Sequence, residues 1–335
     1  MPLYTNTTLA VDQLNTKGAA TIPTGATAPR TGVIQTYYDR RLLNYAKKHL
    51  VYANYGQKRR IPRGNGKKVN FRRWDTFTPD QYLHVLTEGV VPDGLTPTQT
   101  QIEATVSQYG AYVATSDLLD MVAIDPYVRD ATRLLGDLMG DVVDMVSRNA
   151  LMVGSNVQYA GGKTARNALT SSDVLTVTEI RKAVRTLKKN HTPKFNNGRR
   201  AHYVCICSPD ATYDLQSDSL WQDVSKYSNA EQIYEGEIGR LFGVVFVEGS
   251  NAPTLTGAGA SSADVQQTII FGDEAYGTVE IDGSGAIQTI IKPLGSAGSA
   301  DPLNQISTVG AKVPAYTCVI LNDAWIVRIE HGFSA

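Results

Sequence analysis

The sequence is short of cysteine, with three in 335 residues: Cys205, Cys207 and Cys318. So small and odd a set excludes a disulfide framework and fits a reducing compartment. There is no run of about 18 uncharged apolar residues, the minimum for a membrane-spanning helix, so no membrane partner is expected. The N-terminal stretch MPLYTNTTLAVDQLNTKG lacks the basic start and apolar core of a secretory signal, which leads us to expect synthesis and assembly in a cytoplasm. A charge excess is also missing, since 32 Lys and Arg balance 32 Asp and Glu. Dedicated nucleic-acid binders usually carry a basic surplus. A chain near neutrality is instead free to associate with its own copies.

Catalytic signatures are scarce. No G-x-S-x-G elbow occurs. His49, His84, His191, His202 and His331 form no H-E-x-x-H or H-x-x-x-H spacing. Gly162-Lys163-Thr164 resembles the end of a phosphate-binding loop, but Val157 stands where the first glycine is required. Cys205 and Cys207 are two apart on an apolar strand, a spacing for small buried residues and not for a zinc knuckle. No catalytic residue, cofactor or metal is expected, and the chain reads as a structural protein, not an enzyme.

What is present is a particular order of elements. Residues 1–32 are rich in Thr, Ala, Gly and Pro and contain a single acid, Asp12, which suits an arm without a core of its own. Ile34, Tyr37, Tyr38, Leu42, Tyr45 and Leu50 recur at helical spacing and predict an N-terminal helix over 33–51. Residues 52–116 alternate apolar and polar around Val69–Phe71 and Ile102–Val106, with a turn-rich connection between. That pattern predicts a long β-hairpin reaching away from its own body. Asp125 and Pro126 then open a helix that runs to about 153, roughly 42 Å of strut. Asp130, Arg133, Asp137, Asp141, Asp144 and Arg148 form its polar stripe, and Leu134, Leu135, Leu138, Val142, Met145, Val146 and Met152 its apolar side. Gly136 and Gly140 lie mid-helix, where glycine costs about 1 kcal/mol, so a close backbone crossing is expected there. Thr176 and Glu179 have capping-box spacing for a second helix near 177–190. A third helix is predicted over 210–227, and strands near 203–206, 244–247, 268–271, 278–281, 287–291, 316–321 and 324–329.

The charges are segregated along this order. Between Asp39 and Asp75 there is no acid. Lys58, Arg59, Arg60, Arg63, Lys67, Lys68, Arg72 and Arg73 crowd onto and before the first hairpin strand. Residues 210–248 hold eight acids against Lys226 and Arg240. Two readings compete. One is a nucleic-acid patch with Tyr55, Phe71 and Trp74 as stacking partners. The other, favoured by overall neutrality, is self-complementarity, in which the basic hairpin of one copy meets an acidic face of the next. Asp137, Asp141 and Asp144 belong, on the second reading, to a subunit-facing or solvated stripe.

Arm, long two-stranded loop, long helix and mixed α/β region, in that order, resemble the Hong Kong 97 (HK-97) type capsid fold of tailed phages, an α+β fold. More narrowly, Leu86–Pro97 (LTEGVVPDGLTP), Gln108–Met121 (QYGAYVATSDLLDM) and Gly236–Pro253 (GEIGRLFGVVFVEGSNAP) are similar to the major capsid family named after phage N-4. The resemblance implies a virion shell of hexamers and pentamers around double-stranded DNA held non-specifically. It implies an N-terminal arm (1–32), an N-terminal helix (33–51) and an extended loop (52–116). After these come a spine helix with peripheral-domain elements (117–199), an axial domain (200–300) and C-terminal strands returning to the peripheral domain (301–335). It also implies a portal, a decoration protein in some relatives and, from the short arm, a separate scaffolding protein. Some relatives cross-link through a Lys–Asn isopeptide bond. Lys67 and Lys68 have the location for it, but no paired Asn and Glu is assignable.

Overall fold

The computed structural model describes residues 51–75, 77, 88–91, 94–122, 127–196, 201–221, 237–281, 287–298 and 301–334. The arm, nearly all of the expected N-terminal helix and the helix start at Asp125–Pro126 lie outside these residues.

A 15-residue strand organises the first sheet: β13, Ile306–Ile320. It pairs antiparallel with β4 (Ser107–Ser116), β11 (Tyr276–Ile281) and β12 (Gln288–Lys292), and β1 (Gln57–Ile61) adds parallel to β11. Proline and glycine interrupt the sequence of β13, and the structure shows how Pro314 is tolerated. The register with β4 shifts between Val313 and Tyr316, and a bulge is one of the few sheet positions that can lack an N–H. The shift also changes which residues face inward. Val309, Ala311, Val313 and then Tyr316 pack on the long helix, whereas Ala315 faces Phe71 and Val279.

That helix is α2, Tyr127–Leu151, about 37 Å of axis, preceded by the short α1, Asp117–Val122. Its buried apolar residues are Ala131, Leu135, Met139, Val143 and Leu151, interleaved with the small Thr132 and Ser147. Small side chains let the helix axis approach β13 closely, and the Ser147 and Tyr316 hydroxyls meet at 2.6 Å in that seam.

The second sheet runs β5 (Val157–Tyr159), β14 (Ile326–His331), β10 (Val265–Phe271), β6 (Tyr203–Cys207), β8 (Val244–Glu248) and β7 (Glu237–Leu241), with β9 (Thr254–Leu255) beside β10. Its strands β6 and β8 are apolar at almost every position because both faces are covered. Tyr203, Cys205, Cys207, Val244 and Phe246 pack under α3 (Val177–Lys189) and α4 (Pro209–Ser217). Val204, Ile206, Val245, Val247, Ile269 and Phe271 face Tyr52, Leu151 and Tyr276. The end of α2 therefore joins the two sheets through one core.

The expected capping box does not form. Asp218 accepts the Val177 amide (3.1 Å), and Glu179 instead takes Gln158 and Lys182, each at 2.7 Å. Of the helix expected over 210–227, α4 covers Pro209–Ser217 and is opened by Ser208 accepting the Ala211 amide at 3.1 Å; residues 219–221 are helical again after a break at Asp218, and 222–227 lie outside the described residues.

Candidate assembly surface

The 52–116 interval is divided in two. Residues 57–61 and 107–116 belong to the first sheet, while β2 (Lys68–Trp74) and β3 (Gln99–Thr105) form a separate two-stranded ribbon. Its register sets Lys68 opposite Thr105, Phe71 opposite Ile102 and Trp74 opposite Gln99. One face carries Val69, Phe71, Ile102 and Ala104, which pack with Ile61, Val279 and Ala315. Gly277 leaves room for this: a Cβ there would stand 2.8 Å from Phe71 Cζ. The alternation thus fixes which face grips the sheet and which is offered outward.

Among the expected contact residues, Lys58, Arg59 and Arg60 are exposed on β1, at the edge of the sheet and not on the ribbon. Arg63 lies in the turn after it. Lys67 and Arg72 are exposed, with no acid partner among the described residues. Lys68 is paired across the ribbon with Glu103 at 2.6 Å. Arg73 turns back on the body, with Nη1 donating to the Leu321 carbonyl (3.4 Å) and Nε 3.8 Å from Asp75. The eight cations do not form one field.

Asp144 corrects the expectation of a subunit-facing stripe. It is 1 % exposed, and its carboxylate accepts the amides of Val51 (2.9 Å) and Tyr52 (2.8 Å) and the Asn251 side-chain amide (3.2 Å). Burial pushes its carboxyl up, against these three hydrogen bonds. It ties the chain entering β1 to the spine helix and cannot meet another subunit. Asp137 and Asp141 are half-buried.

The apolar side of α2 is only in part where spacing placed it, since Leu135, Val142 and Val146 pack on β13 but three others do not. Leu134 is 68 % exposed, and Leu138 and Met145 are exposed with it. Apolar residues surround this helix, and the small residues chose the buried face. Sequence reasoning also missed Val90, Val91 and Leu95, all exposed in the connection between the ribbon strands. The legible signal was the apolar pair in the turn-rich segment GVVPDGL.

Cys205 and Cys207 are wholly buried on the α3 side, and burial pushes the Cys205 thiol up. Cys318 is pushed up to about 12 by burial. Lys163 lies 4.0 Å from Asp173 beside a short 3-10 turn, not in a phosphate cradle. Among the described residues no three His, Cys, Asp or Glu are placed to hold a metal ion, and no helix is long and apolar enough to cross a membrane.

Residues 142–292, a little under half of the chain, match the family model described as phage capsid protein. No curated protein matches. The fold is similar to the capsid of Ralstonia phage GP4, at 14 % identity, with 96 % of each chain covered and a TM-score of 0.66. It is also similar to the Cyanophage Pam1 capsid asymmetric unit, at 13 % identity over 95 % of this chain and 97 % of that one, TM-score 0.64. The holo-SrpI encapsulin complex from Synechococcus elongatus PCC 7942 follows at 10 % identity over 97 % and 95 %, TM-score 0.53. Ribbon, spine helix and two sheets are therefore arranged in the HK-97-type α+β capsid fold.

Proposed function

We infer that this chain is the major capsid protein of a tailed bacteriophage, self-assembling into the icosahedral head that encloses double-stranded DNA. The observation that carries the reading is likeness over nearly the whole chain to phage capsid structures, together with a family match that runs from the end of the spine helix through most of the second sheet to β12. Its role is structural and not catalytic, and its place is the virion shell. Copies meet as hexamers and pentamers, assembled in the host cytoplasm with a separate scaffolding protein and a portal; a decoration protein joins in some relatives. The narrower likeness to the N-4-type family rests on Leu86–Pro97, Gln108–Met121 and Gly236–Pro253.

In this reading the ribbon lies across a neighbour, with Arg72 and exposed Trp74 on the offered face and exposed Lys67 just before it. Lys58, Arg59, Arg60 and Arg63 extend the contact along the sheet edge, and Asp137 and Asp141 lie within reach of a second copy. Reversing Lys67 and Arg72 to Glu should leave the monomer folded, because both side chains are solvated, but abolish large assemblies in sedimentation velocity. Assemblies of wild-type size and yield from that variant would contradict the ribbon contact.

A further inference from the structure

The exposed face of α3 carries a second basic surface. Arg181, Arg185, Lys188 and Lys189 are all exposed and fall within about a 100° arc of the helix, spread over about 12 Å. None is ion-paired with an acid among the described residues. The acid of the helix, Glu179, is 5 % exposed and is occupied by Lys182 and Gln158. The helix dipole accounts for cations in the last turn, hence for Lys188 and Lys189. It does not account for Arg181 near the start.

Beside Arg181 sits an unusual aromatic residue. β7 and β8 are joined by Phe242-Gly243, both with positive φ (51° and 80°). Such two-residue turns favour Asn-Gly, since a side chain on the first residue is strained there. Phe242 is nevertheless 48 % exposed, and the Arg181 guanidinium lies 5.3 Å from its ring centroid. Strain held at an exposed position is a pointer to use. The ring lies against the Arg181 guanidinium, and the four cations, Val184 and Phe242 line one open groove.

We propose that this α3 groove contacts the phosphate backbone of the enclosed duplex DNA. The proposal rests on the capsid reading above. Duplex DNA carries one charge per about 1.7 Å of axis, so 12 Å of helix face spans several phosphates. A protein partner would call for an apolar centre to the contact, and the groove offers only Phe242 and the edge of Val184. Cations in a row read charge and not sequence, which suits a shell that holds its genome without selecting it.

The test is binding of a fluorescein-labelled 20-base-pair duplex of mixed sequence to the full-length unassembled chain, by anisotropy from 50 to 300 mM KCl. Substituting Arg181, Arg185, Lys188 and Lys189 together by Gln should weaken binding at least tenfold at low salt. It should also lower the slope of log K against log salt by about 3 to 4, at about 0.9 per lost contact. The milder pair Arg185→Gln and Lys188→Gln, which serves if the quadruple variant does not fold, should lower it by about 2. Sedimentation should show both variants still assembling. An unchanged affinity and slope would overturn the proposal. So would a variant that keeps DNA binding but loses assembly, which would make the groove a protein contact, or tighter binding of single strands than of duplex at this face. Failure of the wild-type chain to assemble at all would instead strike the capsid reading.

Discussion

Replacing Glu330 by alanine is expected to cost about 3–5 kcal/mol of stability, the range for breaking a buried ion pair from one side. Glu330 is wholly buried on β14 and gathers partners from three parts of the chain. Arg166 grips it in a two-pronged pair (2.7 and 2.6 Å), the Gln267 side chain donates at 2.9 Å, and Arg328 Nε stands 3.2 Å away. Removing the carboxylate leaves Arg328, which is only 11 % exposed, with the Met152 carbonyl as acceptor but without its counter-charge. Arg166→Ala should cost much less, because Arg166 is 39 % exposed and Glu330 keeps its other partners. Urea midpoints of the unassembled chain give both values. A smaller loss for Glu330→Ala than for Arg166→Ala would contradict this account.

The same cluster sets the acid limit. Burial alone would raise the Glu330 carboxyl, but Arg166, Gln267 and Arg328 hold it below its ordinary value of 4.5. Its contribution is therefore present above pH about 4.5 and lost as pH falls through the lowered value. The adjacent His331 works in the same direction. It is wholly buried, its Nδ1 donates to the Gly332 carbonyl at 2.7 Å, and Nε2 accepts the Thr268 hydroxyl at 2.9 Å. Burial lowers its pKa below 6.5, against its backbone hydrogen bond and the attraction of Asp214. The unfolded chain takes up that proton first, so stability begins to decline once pH drops below about 6.5.

Asp144→Ala should produce the second large effect. It leaves the Val51 and Tyr52 amides and the Asn251 side chain without their acceptor, at about 1–3 kcal/mol for each buried group left unmatched. Tyr52 is wholly buried, and its carbonyl accepts the Tyr276 hydroxyl, so both sheets feel the loss. The pH dependence has the opposite sign to that of Glu330. Burial raises the Asp144 carboxyl, so its contribution diminishes as pH rises through the raised value. Asp144→Asn, which keeps one acceptor oxygen, should fall between wild type and alanine in thermal melting. Equal losses from Asn and Ala would contradict the clamp.

Elements with a strong period were legible in advance. The long α2, the ribbon strands and β6 and β8 declared themselves through spacing and apolar runs. β13 did not, because Gly310 and Pro314 break it on paper, and only the bulge before Tyr316 makes it one strand. Asp144 shares its spacing with Asp137 and Asp141, so nothing in the sequence says that residues 51 and 52 would fold onto it. β1 hid behind QKRRI, whose charge suggested part of the reaching hairpin although backbone pairing with β11 makes it an edge strand. The α3 groove was overlooked because basic residues at a helix end look like ordinary dipole partners. Its other half, Phe242-Gly243, lies more than fifty residues away in sequence.

Electron microscopy of the purified full-length chain, expressed with and without a scaffolding protein, tests the central claim most directly. Closed shells, capsomer rings or tubes are the predicted result. A uniform monomer in both preparations, with no particles on the grid, would contradict it.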